Sequence, residues 1–294
     1  MGKDIYEIFP SAFAVFQEAD EALQMHLRDL IFDGPQNTLT LTENAQPAIL
    51  VTSIAILRVL EKEFGFSVKD RVSVAMGHSL GEYTALVAAG SLSLTDAVRL
   101  VRARGLAMSR TVEHHIKCPT AMSALVVKRG KLEALEDAMA TRIPSHLQPG
   151  ELAELANINA SFQAVISGTT SGVYRASHLL QEWQLATRAV DLPVSAPFHC
   201  SLMAPTVDEL KPALDKVAFS KPSITVMSNV TARPHTDPST IADSLLMQVT
   251  ARVQWAPSIE FCRQSRAVRD WLAIGPGRVL YNLVRKEHPL DHAK

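Results

Sequence analysis

Apolar residues recur at helical spacing along much of the chain, which predicts several amphipathic helices. They lie three and four positions apart over residues 3–30, where Pro10 interrupts the pattern and predicts two helices rather than one. Another helix is predicted over residues 46–64, with Pro47 in its first turn, where proline is tolerated. A serine followed three positions later by an aspartate forms a capping-box pattern at the start of a helix predicted over residues 93–110.

Short runs rich in apolar residues predict buried strands. They occupy residues 72–76, 224–227 and 267–274. Between residues 119 and 191 the pattern reads strand, helix, strand, strand, helix, strand, which is the order of a ferredoxin-like unit. We therefore predict a small ferredoxin-like subdomain over 119–191, inserted into a larger α/β domain formed by 1–118 and 192–294. A single sheet through the whole chain is the alternative.

Composition narrows the function classes. The chain has 294 residues, 47% of them hydrophobic, and its 29 Lys and Arg nearly balance 30 Asp and Glu. The net charge of -1 argues against binding to nucleic acid or to an anionic membrane surface. No apolar run approaches the length of a membrane span. Three cysteines without a C-x-x-C spacing argue against a disulfide framework or a zinc site, and predict a reducing compartment.

A G-x-S-x-G motif stands between the apolar run at 72–76 and a helix of small residues at 82–89. The motif is Gly77-His78-Ser79-Leu80-Gly81. Strand, tight turn and helix form the context of a nucleophile elbow, which presents a serine hydroxyl at a helix N-terminus. Ser79 is then a candidate nucleophile, and the Leu80 N–H a candidate donor to a developing oxyanion. An ordinary glycine-rich turn is the alternative, although the flanking strand and helix favour the elbow. A large domain of this kind is expected to be α/β-hydrolase-like, with a parallel sheet.

Two further residues are candidates with weaker signals. His199 ends an extended segment imposed by Pro193 and Pro197, as expected of a base presented from a loop, although a structural histidine is the alternative. Arg104 lies among apolar neighbours of the helix at 93–110. Its spacing does not distinguish it from a surface arginine whose stem covers apolar side chains.

Eight segments, in order along nearly the whole chain, resemble one family. They are DIYEIFP, QPAIL, GHSLGEYTALVAAGSLSL, VRARG, ANINASFQAVISG, LPVSAPFHCSLM, QVTARVQW and GPGRVL. The family comprises the malonyl-CoA:acyl carrier protein transacylases of fatty acid synthesis, which are related to the acyltransferase domains of polyketide synthases. The resemblance implies transfer of malonyl from malonyl-CoA to the phosphopantetheine thiol of acyl carrier protein through a malonyl-serine ester. It implies no metal and no cofactor other than malonyl-CoA as substrate.

The resemblance also implies roles for individual residues. Ser79 would be the nucleophile and His199 the base, oriented by the backbone carbonyl of Gln248 instead of a carboxylate. Arg104 would pair with the free carboxylate of malonate, which suits a planar guanidinium. Phe198 would narrow the side where a methylmalonyl branch would lie, so malonyl is expected over methylmalonyl. His78 would support the elbow, and Gln46 and Asn159 would be polar residues of the substrate pocket.

Members of that family begin with a buried strand and a G-Q-G-S-Q loop, whose glutamine N–H is a second oxyanion donor. The chain starts at Met1-Gly2-Lys3 without them, so weak activity, or a non-catalytic binder of CoA or carrier protein, is an alternative expectation. A serine hydrolase with the same elbow is another alternative. It would need a carboxylate to orient His199, for which Asp191 is the nearest candidate.

Partner and location are predicted from fewer observations. An acidic carrier protein is the expected partner, and a basic docking face could be formed by Arg263, Arg266, Arg269 and Arg278, with an ordinary solvated charge cluster as the alternative. A monomer is expected. The long loop at 143–150 and the general character of the sequence predict a mitochondrial enzyme whose transit peptide is not part of this chain, with a cytoplasmic location as the alternative.

Overall fold

The computed structural model describes residues 1–294, the whole chain. Its helices are α1 (Lys3–Ile8), α2 (Pro10–Leu23), α3 (Leu27–Asp33), α4 (Gln36–Leu39), α5 (Thr42–Glu63), α6 (Val68–Arg71), α7 (Leu80–Ala88), α8 (Leu94–Arg110), α9 (Leu132–Thr141), α10 (Ile143–His146), α11 (Thr170–Glu182), α12 (Ala204–Leu214), α13 (Ile241–Met247), α14 (Trp255–Arg266) and α15 (Val279–Glu287). Its strands are β1 (Val74–Ala75), β2 (Thr120–Val127), β3 (Ala153–Ala160), β4 (Gln163–Thr169), β5 (Ala186–Asp191), β6 (Thr225–Val226), β7 (Asp270–Trp271) and β8 (His292–Ala293).

The larger part of the molecule is built from helices around a short parallel strand pair. β1 and β6 run parallel, with Val74 opposite Thr225 and Ala75 opposite Val226. Helices α2, α5, α7 and α8 supply most of a core of 37 buried apolar side chains. Because the carboxyl ends of parallel strands meet at one edge, the loops after β1 and β6 lie side by side. The active site forms there.

The smaller part is a four-stranded antiparallel sheet with the order β3-β4-β2-β5. This is the strand order of a ferredoxin-like unit, so the predicted class, an α/β protein with an inserted ferredoxin-like subdomain, is confirmed. Helices α9 and α11 cover one face and enclose a second core of 15 apolar side chains. The strands lie within residues 120–191. The division into 1–118 with 192–294 and 119–191 stays a prediction.

The start predicted for the long helix is wrong. α5 begins at Thr42, so Pro47 lies inside the helix and leaves the carbonyl of Glu43 without its usual N–H donor. Arg102 Nη1 supplies the missing hydrogen bond to the Glu43 carbonyl at 2.7 Å. A side chain from α8 thus satisfies the backbone that proline interrupts, and the helix continues through it.

The buried strand predicted over 267–274 is also wrong. Only Asp270 and Trp271 are extended, and they pair in parallel with His292 and Ala293 near the C-terminus. Asp291 holds this pair in place, because its buried carboxylate accepts from Trp271 Nε1 at 2.9 Å and from Arg263 at 3.0 Å. The apolar run therefore contributes β7 to a peripheral C-terminal ribbon, the pair β7 and β8, and does not join the parallel pair β1 and β6.

Two further features of the molecule bear on function. No helix combines the length and the apolar character needed to cross a bilayer. All three cysteines are free thiols, and His, Cys, Asp and Glu side chains form no group of three that could hold a metal ion.

Candidate active site

Ser79 occupies a strained turn between β1 and α7. Its φ of 53° and ψ of −109° lie in a region that residues with a side chain rarely adopt. Gly77 allows the turn, since a Cβ at this position would overlap the carbonyl group of Gly81. A Cβ at Gly81 itself would meet no atom within 4 Å. Only the first glycine of the motif is therefore required by close packing.

Asn229 holds the turn in this conformation, and sequence analysis assigned it no role. Its Oδ1 accepts from Ser79 N at 2.7 Å, and its Nδ2 donates to the Gly77 carbonyl at 2.8 Å. The side chain reaches the turn because it follows β6, the parallel neighbour of β1. The one signal in the sequence was a polar residue close to the end of the strand predicted over 224–227.

Ser79 and His199 form a hydrogen-bonded pair. Ser79 Oγ lies 2.8 Å from His199 Nε2, and His199 Nδ1 lies 2.8 Å from the Gln248 carbonyl oxygen. A carbonyl only accepts, so Nδ1 carries the ring proton and Nε2 is free to accept from the serine hydroxyl. This is the arrangement that a general base needs.

His199 is neutral across the physiological range. Burial, then the charge of Arg104 and the proximity of His78, lower the pKa of His199 to about 3.

Asp191, the carboxylate considered for a hydrolase, is exposed on β5. The nitrogen that it would have to reach is already bonded to Gln248.

Arg104 projects from α8 into the same site and is only 2% exposed. Its Nη2 donates to Ser79 Oγ at 2.9 Å and to Gln248 Oε1 at 3.0 Å, and its Nη1 donates to Gln46 Oε1 at 2.7 Å. Its Nε has no partner, and no carboxylate contacts the guanidinium. Burial lowers the pKa of Arg104 from its usual value. A buried cation beside the nucleophile without a direct anionic partner suits an anionic ligand.

Gln46 and Gln248 orient this guanidinium from two sides. Gln46 is fixed in turn by donation from its Nε2 to Thr42 Oγ1 at 2.8 Å. Gln248 Nε2 donates to the buried carboxylate of Glu82 at 2.7 Å and to the Ser79 carbonyl at 3.2 Å. Glu82, in the first turn of α7, is a second residue that sequence analysis missed.

The other candidate residues border the Ser79–His199 pair. His78 Nε2 lies 3.0 Å from Asn159 Oδ1, which links the elbow to β3. Burial lowers the pKa of His78 to about 4. Phe198 is half-buried and packs against apolar side chains of both the large core and the β-sheet. Leu80 begins α7, and its N–H makes no hydrogen bond within the protein.

This geometry suits acyl transfer through a serine ester. A nucleophile bonded to a neutral base, beside a free N–H at a helix N-terminus, provides attack, proton transfer and stabilisation of an oxyanion. The buried guanidinium adds a site for a negative charge on the acyl group.

Comparison with known proteins agrees with this chemistry. Residues 1–260 match the family described as "Acyl transferase domain". The chain is 42% identical over 287 residues to the malonyl CoA-acyl carrier protein transacylase of Bacillus subtilis (strain 168), an alignment that covers 97% of this chain and 85% of that protein.

Solved structures give the same result at the level of the fold. The acyl-carrier-protein-S-malonyltransferase of Bartonella henselae superposes with a TM-score of 0.89 at 40% identity, covering 100% of this chain and 89% of that one. A malonyl-transacylase in complex with its type II PKS acyl-carrier protein superposes with a TM-score of 0.88 at 33% identity, covering 100% of this chain and 90% of that one. The chain therefore belongs to the acyl transferase domain family, as a member of its malonyl-CoA:acyl carrier protein transacylase group.

Proposed function

We propose that this protein transfers malonyl from malonyl-CoA to the phosphopantetheine thiol of acyl carrier protein, in fatty acid synthesis. The observation that carries the proposal is Arg104, a buried guanidinium 2.9 Å from the nucleophile oxygen and without a carboxylate partner. The relatives and solved structures that this chain resembles are named as malonyl transferases, which supports the proposal.

In the first half-reaction, Ser79 Oγ attacks the thioester carbonyl of malonyl-CoA. His199 Nε2 takes the hydroxyl proton while the Leu80 N–H stabilises the oxyanion. The C–S bond then breaks, His199 returns the proton to the leaving sulfur, and malonyl remains as an ester on Ser79. In the second half-reaction, His199 deprotonates the carrier-protein thiol, which attacks the ester and restores the serine hydroxyl.

Arg104 selects the acyl group. The malonyl carboxylate accepts two parallel hydrogen bonds from the guanidinium, whereas an acetyl group leaves the buried cation without an anionic partner and its Nε without an acceptor. An unpaired buried donor costs about 1–3 kcal/mol, or roughly 5- to 150-fold in rate. Phe198 then limits the space beside the α-carbon, which disfavours methylmalonyl.

No structural observation favours either of the alternative functions, a serine hydrolase or a non-catalytic binder. A serine hydrolase of the predicted type needs a carboxylate on His199, where Gln248 is found instead. A non-catalytic binder has no use for a serine held 2.8 Å from a neutral histidine.

The partner follows from the transfer reaction, and a related malonyl-transacylase has been solved with its carrier protein. On the predicted basic face, Arg263 is bonded to Asp291 and Glu260, and Arg269 also lies 3.7 Å from Asp291. Arg266 and Arg278 are exposed and are the better candidates for docking. The monomeric state, the absence of a cofactor and of nucleic acid, and the mitochondrial or cytoplasmic location stay predictions.

A transfer assay tests the function and its specificity together. The protein is given acyl carrier protein with malonyl-CoA, methylmalonyl-CoA or acetyl-CoA, and kcat/KM is measured for each donor. Malonyl should be fastest, and Arg104→Ala should lower its kcat/KM by roughly 5- to 150-fold while leaving acetyl transfer unchanged or faster. Equal rates with malonyl-CoA and acetyl-CoA in the unaltered protein would contradict the proposal.

A further inference from the structure

Glu82 is a wholly buried carboxylate that the acyl-transfer chemistry does not use. It is 0% exposed and lies one helical turn beyond Ser79. Its Oε1 accepts from His235 Nε2 at 2.7 Å, and its Oε2 accepts from Asn229 N at 3.0 Å and Gln248 Nε2 at 2.7 Å. Both oxygens are therefore committed to three separate segments of the chain.

The contact with Gln248 determines which way the Gln248 amide points. Glu82 as a carboxylate only accepts, so the amide NH₂ of Gln248 must face it. Arg104 as a guanidinium only donates, so the amide oxygen must face Arg104, as observed at 3.0 Å. Glu82 and Arg104 thus bind opposite ends of one amide.

The backbone of Gln248 carries a second function. Its carbonyl oxygen accepts from His199 Nδ1 at 2.8 Å. One residue therefore orients both the proposed base through its main chain and the proposed carboxylate clamp through its side chain. Any group that fixes the position of Gln248 fixes His199 and Arg104 together.

We propose that Glu82 is a positioning residue that acts through Gln248, and that it sets the preference for a carboxylated acyl group by fixing Arg104. His235 secures Glu82 from the far side. Asn229, which also holds the Ser79 turn, ties the same carboxylate to the elbow. This inference rests on the proposed function, because it concerns the selectivity of that reaction.

Two substitutions of Glu82 separate the effect of its side-chain length from the effect of its charge. Glu82→Asp keeps the charge but shortens the side chain by one methylene, so it withdraws from Gln248. Glu82→Gln loses the charge but keeps an oxygen acceptor at the same reach. A positioning role predicts that the Asp variant is impaired and the Gln variant largely retains activity, whereas a purely electrostatic role predicts the reverse order.

The experiment measures the rate of Ser79 ester formation with malonyl-CoA and with acetyl-CoA by intact mass at short times. Glu82→Asp should slow malonyl ester formation by roughly 10- to 10²-fold, the size of effect that a misplacement of about 1 Å produces, and should lower the malonyl-to-acetyl ratio. Glu82→Gln should remain close to the unaltered protein in both measures. Impairment of the Gln variant with a normal Asp variant would overturn the proposal.

A double-mutant cycle with Gln248→Met identifies the route. Met preserves the backbone carbonyl and the volume but removes the amide contacts to Glu82, to Arg104 and to the Ser79 carbonyl. If Glu82 sets selectivity through that amide, the fall in the malonyl-to-acetyl ratio should be no larger in the double variant than in Gln248→Met alone. Additive falls would overturn the proposal.

Asp291→Asn is the matched control for the loss of a buried carboxylate. Asp291 is the other buried acidic side chain, and it bonds Arg263 and Trp271 in the C-terminal ribbon. This variant should lower thermal stability without changing the malonyl-to-acetyl ratio, and a changed ratio would show that the readout reports general destabilisation and would overturn the proposal. If the unaltered protein forms no malonyl ester at Ser79, the proposed function fails, which is a separate outcome from a failure of the role of Glu82.

Discussion

His199 is held as a neutral base by its surroundings. The ring is 4% exposed and shares its pocket with the Arg104 cation, so a proton on it would be both poorly solvated and repelled. The Gln248 carbonyl fixes the tautomer without adding a negative charge that would favour protonation. The base is therefore in its neutral, reactive form around pH 7.

The same burial makes stability depend on pH. In the unfolded chain His199 titrates near 6.5, whereas in the folded protein its pKa is about 3. Between these values the unfolded state binds one more proton, so the stabilising contribution is complete above pH 6.5 and is lost as the pH falls towards 3. The free energy of unfolding should decrease by about 1.4 kcal/mol per pH unit from this group in that window.

Urea denaturation at pH 6.5, 5.5 and 4.5 measures this contribution. His199→Gln, which cannot titrate at this position, is the reference, because the other titrating groups, His78 included, are present in both proteins. The unaltered protein should lose stability more steeply than the variant by about 1.4 kcal/mol per unit. Parallel slopes would show that His199 is solvated in the folded state.

At the level of elements, the turn between β1 and α7 depends on one glycine. A side chain at Gly77 overlaps the Gly81 carbonyl group, whereas Gly81 faces open space within α7. Gly77→Ala should therefore displace the turn and abolish ester formation at Ser79. Gly81→Ala should retain activity and gain up to about 1 kcal/mol of stability from helix propensity.

Ester formation by intact mass and thermal denaturation of both variants check this asymmetry. The two substitutions are chemically identical and four residues apart, so each controls for the other. A comparable loss of ester formation in Gly77→Ala and Gly81→Ala would contradict the asymmetry, because it would show that Gly81 is needed for a reason other than close packing.

Local signals predicted some elements well and others poorly. The predicted N-cap of α8 is present, since Ser93 Oγ accepts from Asp96 N at 3.0 Å, and both partners lie within one turn. The start of α5 could not be predicted from Pro47, because the carbonyl of Glu43 that proline leaves free is bonded by Arg102, 59 positions from Glu43. The run at 267–274 was apolar enough for a buried strand, but its partner is the C-terminal segment.

At the scale of the whole molecule, the site lies where the large core meets the antiparallel sheet. Phe198 packs on both, and the contact between His78 and Asn159 joins residues 81 positions apart. Ser79 and His199 could be nominated from local motifs. Arg104 and Gln248 could not, because their contacts with Gln46 and with one another span 58 and 144 positions. The roles of Arg104 and Gln248 were predicted only from the resemblance to a family, and the roles of Asn229 and Glu82 were found only in the structure.

The malonyl-serine mechanism is tested most directly by the intact mass of the protein after brief exposure to malonyl-CoA, with Ser79→Ala and Arg104→Ala alongside. The unaltered protein should carry one malonyl adduct and Ser79→Ala none, and Arg104→Ala should form the malonyl adduct more slowly than the unaltered protein does. An unmodified mass from folded, unaltered protein, or an adduct that persists in Ser79→Ala, would contradict it.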